Sequence, residues 1–101
     1  MSRWGLEIDV PARADARAIS DGTVRYAGPI RGLDLGVIVD HGSFVSVVAH
    51  LGQLRTHAGD AVRRGAVLGS ALDTRVHLEI RVEVGPGGRP IDPETVLPSR
   101  R

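Results

Sequence analysis

Between Arg75 and Val84 the chain reads RVHLEIRVEV, and apolar and polar residues alternate there without a slip. Val76, Leu78, Ile80, Val82 and Val84 fall on one side, and Arg75, His77, Glu79, Arg81 and Glu83 on the other. A period of two marks a strand with one face in a core and the other open. No stretch carries a sustained helical period, because 13 glycines and 6 prolines cut the chain into short pieces. DGTVRYAG (21–28) predicts a strand, and LGVIVDHGSFVSVVAHL (35–51) predicts a hairpin around Asp40-His41-Gly42-Ser43. HAGDAVRRGAVLGSA (57–71) holds two turn signals and then a short strand. GPGGRPIDP (85–93) reads as a loop, and residues 94–97 as one helical turn. Many short strands with closely spaced turns indicate an all-β chain, a small antiparallel sandwich or barrel-like domain.

At 101 residues the chain is read as a single domain with a modest core. Its 13 basic residues, all arginine, are spread among 12 acids and leave a net charge of +1. That distribution gives no basic stripe, and Trp4, Tyr26 and Phe44 are too few for base stacking, so nucleic acid is excluded as a partner. The absence of cysteine rules out disulfides, thiolate chemistry and Cys-type zinc sites. No apolar run approaches a membrane span, and MSRWGLEIDV lacks the apolar segment of a secretory signal. For a domain working outside the cytoplasm, the export signal is expected on a part of the protein preceding this sequence.

Four histidines carry the remaining chemistry. His41 and His57 stand in or beside tight turns, where capping of backbone groups is the expected role. His50 closes the strand FVSVVAHL, and alternation places it on the face of Phe44, Ser46 and Val48. His77 sits mid-strand on the polar face. A zinc enzyme without cysteine needs about three ligands drawn from His, Asp and Glu, with one position left open. Spacing alone leaves His77 open between metal ligand, catalytic base and a polar residue on a wet sheet.

The segments GLEIDVPA, AISDGTVRYAG, GVIVDHG, AHL, GDAVRRGAVLG, VHLEI and PIDP follow one another in an order that resembles the lysostaphin/LytM-type zinc peptidases. The resemblance runs from about Arg3 to Leu97. It implies a small antiparallel β fold of the LytM, or duplicated-hybrid-motif, type with a groove, and action on cell-wall peptide bridges in the active members. The family's first motif, H-x-x-x-D, supplies two zinc ligands and falls here on Arg3 and Glu7. Its H-x-H motif falls on Arg75 and His77, with His77 at the ligand position and Arg75 replacing a catalytic helper. A further catalytic histidine before leucine is matched by His50-Leu51, and the Gly-rich loop before H-x-H is shortened to SALDT (70–74).

An arginine has no lone pair for a metal and stays charged in a protein. Beside a dication its charge is unfavourable by on the order of several kcal/mol. With Glu7 and His77 the only donors left, no bound metal is expected. The resemblance then implies a degenerate, non-catalytic domain with Arg3, Glu7, His50, Arg75, His77 and Arg81 lining the former active-site groove. Arg3 and Arg75 are expected to clasp Glu7 where the metal would sit. Arg75 and Arg81 would meet the carboxylates of an acidic stem peptide. The implied partners are peptidoglycan or a cell-wall hydrolase or division protein, in the cell envelope and without membrane insertion by this chain. The alternative is a zinc endopeptidase cleaving peptidoglycan cross-bridges, with Glu7 and His77 as ligands and His50 as the catalytic group. A third class, the biotinyl or lipoyl carriers that DGTVRYAG and GDAVRRGAVLG also resemble, needs a lysine at a hairpin tip, and the chain has none.

Overall fold

The structure, a computed structural model, describes residues 2–82. These form eight strands: β1 (Ser2–Asp9), β2 (Asp15–Arg17), β3 (Gly22–Ile30), β4 (Asp34–Asp40), β5 (Val45–Leu54), β6 (Ala61–Val62), β7 (Val67–Ala71) and β8 (Arg75–Val82). Every pairing is antiparallel, and the main path runs β1-β8-β5-β4-β3-β6, with β7 joining β5 and β2 joining β7. The described residues contain no helix, and so none long and apolar enough to cross a membrane. The all-β expectation holds, and the predicted pieces at 21–28, 35–51 and 57–71 become β3, the β4–β5 hairpin and β6–β7. Strands β1 and β2 were not anticipated. The predicted loop at 85–93 and the helical turn at 94–97 lie outside the described residues, as do the last two residues of the 75–84 alternation.

Strand β5 organises the fold because it changes partner halfway along. Val45–Ala49 pair with Arg81–His77 of β8, whereas Leu51–Leu54 pair with Ala71–Gly69 of β7. A strand serving two neighbours on one side must break its pleat between them, and the break falls at His50. There φ is +61°, in the left-handed region that L-residues rarely occupy, although histidine enters it more readily than most. Opposite this point, β4 takes two steps from Leu35 to Val37 while β5 takes three from Val48 to Leu51. The extra residue is a β-bulge, which bends the strand and re-aims a side chain.

One face of the sheet makes the core. Val37 and Val39 of β4, Val48 of β5 and Val76 of β8 pack against Ala16, Leu68 and Ala71 of the β2–β7 layer. Phe44, Ile80 and Val82 close the other end. The alternation in β8 is therefore realised with Val76, Ile80 and Val82 buried. Its polar residues face the opposite way, onto an open surface flanked by β1 and β5.

The hairpin turn puts its histidine to an additional use. Gly42, at φ +94°, makes the reversal, and its N–H donates to Asp40 Oδ1 at 2.8 Å. His41 then folds inward, stacked on Phe44 at 4.5 Å. Its Nδ1 donates to the Asp21 carbonyl at 2.8 Å, and its Nε2 lies 2.8 Å from the buried Ser46 hydroxyl, whose O–H it accepts when neutral. Burial, partly offset by the Asp21 carbonyl, lowers the pKa of His41 and keeps the ring neutral. His57 remains a turn residue: its backbone N–H donates to Asp60 Oδ2 at 2.8 Å while its ring is exposed.

Candidate functional site on the open face of the sheet

Strand pairing brings most of the sequence-nominated residues to one face. Glu7 stands opposite His77, Asp9 opposite Arg75, and Arg3 opposite Arg81. Opposed residues of an antiparallel pair share a face, so Glu7, Arg75, His77 and Arg81 belong to a single surface. The side chain of Arg3 lies outside the described residues.

His50 reaches that surface only through the bulge. Ala49 pairs with His77, so plain alternation would send His50 to the core face with Ser46 and Val48, as its sequence position suggests. The left-handed backbone reverses this. The His50 ring lies 5.9 Å from that of His77, edge to face, and its Nε2 is 3.4 Å from Glu7 Oε1. Its Nδ1 donates to Asp34 Oδ2 at 3.0 Å, and Asp34 is itself left-handed at φ +61°. Two strained residues thus hold one another at the groove, the kind of place where such strain collects.

A continuous row of charged and polar groups results: Asp34, His50, Glu7, His77, Glu79, Arg81. His77 Nδ1 is 2.5 Å from Glu7 Oε2, and its Nε2 is 3.1 Å from Glu79 Oε1. Carboxylate oxygens only accept, so contacts to two carboxylates favour the doubly protonated ring of His77. Burial opposes that charge, but the hydrogen bonds to Glu7 and Glu79 outweigh it and raise the His77 pKa. Glu7 moves the other way: the His77 hydrogen bond lowers its pKa against a desolvation cost, with smaller contributions from the His50 and Arg75 charges. Beyond His77, Arg81 Nε donates to Glu79 Oε2 at 2.5 Å. Glu79 is buried, so it is not one of a solvated row of strand residues.

One expectation changes as a result. Glu7 is held by His77 and approached by His50; no hydrogen bond joins it to the guanidinium of Arg75, so the Arg75 half of the anticipated clasp does not form. Arg81 gives its Nε to Glu79. Asp34 was missed because nothing in RGLDLG distinguishes it from an ordinary turn residue. Glu79 was legible as a groove residue, being two positions from His77 on the same face.

A catalytic zinc needs three donors and an open position. Among the described residues no three of His, Asp and Glu are grouped to hold a metal. The chemistry of the row agrees: Glu7 and His77 are turned toward one another and toward His50 and Glu79, and the positive charge of Arg75 is felt at Glu7. As arranged, these residues do not fit zinc. Beside the row lies a cavity of about 270 Å³ lined by Asp34, His50, Leu72, Asp73, Thr74 and Arg75. A wider, more apolar hollow adjoins it across Asp34 and Leu72, with Leu35 and Leu51 in its walls.

The family model for peptidase family M23 matches residues 2–93, and the chain belongs to that family. Among solved structures it is similar to a protein of Pseudomonas aeruginosa classed with the M23 peptidases, at 29% identity and a TM-score of 0.72, covering 92% of this chain and 42% of that one. It is similar in fold to a mutant of the catalytic domain of the prophage-encoded M23 protein EnpA from Enterococcus faecalis, with 23% identity, a TM-score of 0.71, and 89% and 75% of the two chains covered. The catalytic domain of the antimicrobial peptidase lysostaphin from Staphylococcus simulans gives 19% identity, a TM-score of 0.73, and 93% and 77% coverage. No curated protein matches.

Proposed function

We propose that this domain is a non-catalytic member of its family that binds peptidoglycan in the cell envelope through the groove beside Glu7, His50, Arg75 and His77. The observation that carries this reading is the placement of His77, whose two ring nitrogens each lie at hydrogen-bond distance from a carboxylate, Glu7 on one side and Glu79 on the other. A histidine so placed cannot lend a lone pair to a metal without breaking one of two charge-assisted hydrogen bonds. Without an ordered metal there is neither an activated water nor a Lewis acid for peptide hydrolysis. Arginine at positions 3 and 75 supports the same conclusion from the sequence. What the groove keeps is shape and fixed charge, which suffice for recognition.

Three measurements on the purified domain test the reading: zinc content, peptidoglycan cleavage and co-sedimentation with insoluble peptidoglycan. The expected result is no stoichiometric zinc, no cleavage and retention on the wall polymer. The triple variant Arg3→His, Glu7→Asp, Arg75→His is expected to gain zinc affinity. Stoichiometric zinc in the native domain, with cleavage, would restore the endopeptidase reading with Glu7 and His77 as ligands. A domain that neither cleaves nor sediments would direct the search to a wall hydrolase or division protein as the groove's ligand.

A further inference from the structure

The charges around the 270 Å³ cavity are not those of a site for a simple anion. Arg75 lines it, but so do Asp34 and Asp73, with Leu72 as an apolar wall. Leu72, Asp73 and Thr74 form the turn leading into β8, and all are exposed together with Arg75. Among the described residues, neither the Asp73 carboxylate nor the Arg75 guanidinium makes a side-chain hydrogen bond or ion pair. Asp34 gives one oxygen to His50 and keeps the other. Leu72 is 54% exposed, and it joins the cavity to the neighbouring apolar hollow.

An acidic ligand would meet these carboxylates as well as Glu7. A purely cationic one would meet Arg75. A group that carries both charges and a short aliphatic portion satisfies every wall. Building on the reading of the groove as a binding site, we infer that this cavity takes a zwitterionic amino-acid head group. Its carboxylate pairs with Arg75, its ammonium sits between Asp34 and Asp73, and its side chain lies against Leu72. Arginine suits the carboxylate because its planar fork donates two parallel hydrogen bonds. Selectivity follows from the cost of leaving a partner behind: a ligand lacking either charge desolvates Arg75 or the aspartates without replacing the water they lose.

The test is a titration of the isotope-labelled domain with alanine, N-acetylalanine and alaninamide, followed by NMR. Alanine is expected to shift the backbone amides of Asp73, Thr74 and Arg75. Each blocked form is expected to bind about tenfold more weakly or worse, the factor lost with one charge-assisted contact. Arg75→Gln should erase the preference for alanine over alaninamide, and Asp73→Asn should reduce that over N-acetylalanine. Both substitutions fall at exposed positions of a turn and a strand start, where folding tolerates them. Equal binding of the three compounds, or no shifts at these amides with alanine, would overturn the inference. Peptidoglycan co-sedimentation of the same preparation separates the two levels. Retention on the wall without a zwitterion preference overturns this inference alone, and loss of both also removes the reading on which it rests.

Discussion

The groove depends on one backbone angle, and that dependence can be tested by the sign of a single difference. His50 occupies the left-handed region at φ +61°. Replacing it with either Ala or Gly removes the same ring and the same hydrogen bond to Asp34, so the difference between the two variants isolates the backbone. In an ordinary strand alanine is the more stable of the pair by about 0.5–1 kcal/mol, since glycine loses more freedom on folding. In the left-handed region alanine is penalised by about 1–2 kcal/mol and glycine by almost nothing. The net expectation at position 50 therefore shifts toward glycine, with His50→Gly favoured over His50→Ala by up to about 1.5 kcal/mol. With a urea slope of about 1 kcal/mol per molar for a small domain, the midpoint of His50→Gly should lie up to about 1.5 M above that of His50→Ala. Urea unfolding followed by the β-sheet circular dichroism signal, with the slope checked for constancy, reads this directly. A higher midpoint for His50→Ala would mean that His50 continues the strand in extended form. Its ring would then belong with Ser46 and Val48, and the row from Asp34 to Glu79 would lose its link.

Leu68 is fully buried in the core cluster, so Leu68→Ala should cost about 2–5 kcal/mol in urea unfolding. A loss below about 1 kcal/mol would show that the β2–β7 layer is not packed as described. Gly69 lies between β5 and β2, and a Cβ there would run into the Gln53 carbonyl oxygen. Gly69→Ala is expected to destabilise the domain by about 2 kcal/mol or more, and a neutral result would contradict that close approach. Because burial holds the pKa of His41 below its ordinary value of about 6.5, its contribution to stability is complete above that pH. It is then lost as pH falls through the folded pKa, since the unfolded chain takes up the proton first. Urea midpoints measured between pH 8 and pH 5 should show this decline in the native domain and a flatter profile in His41→Gln.

The sequence by itself determined the all-β class and nominated the residues of a candidate site. Strict alternation in β8 fixed which of its residues enter the core, and glycine-marked turns delimited β3, β4, β5 and β7, because both are local properties of the backbone. The positions of Arg3, Glu7, His50, Arg75 and His77 were readable from motif order, and the lack of lone pairs on arginine already spoke against zinc. The tertiary structure alone decided how these groups meet. Alternation sends His50 to the core face, but β5 must leave β8 for β7 at that residue, and the resulting bulge turns the ring into the groove. Asp34 becomes its partner across a strand pair that no local pattern announces. Glu7 goes to His77 through pairing between β1 and β8, which are nearly the whole described chain apart in sequence. Which carboxylate meets which imidazole depends on register, bulges and chain closure. These are non-local quantities, settled only when the strands are assembled into one sheet.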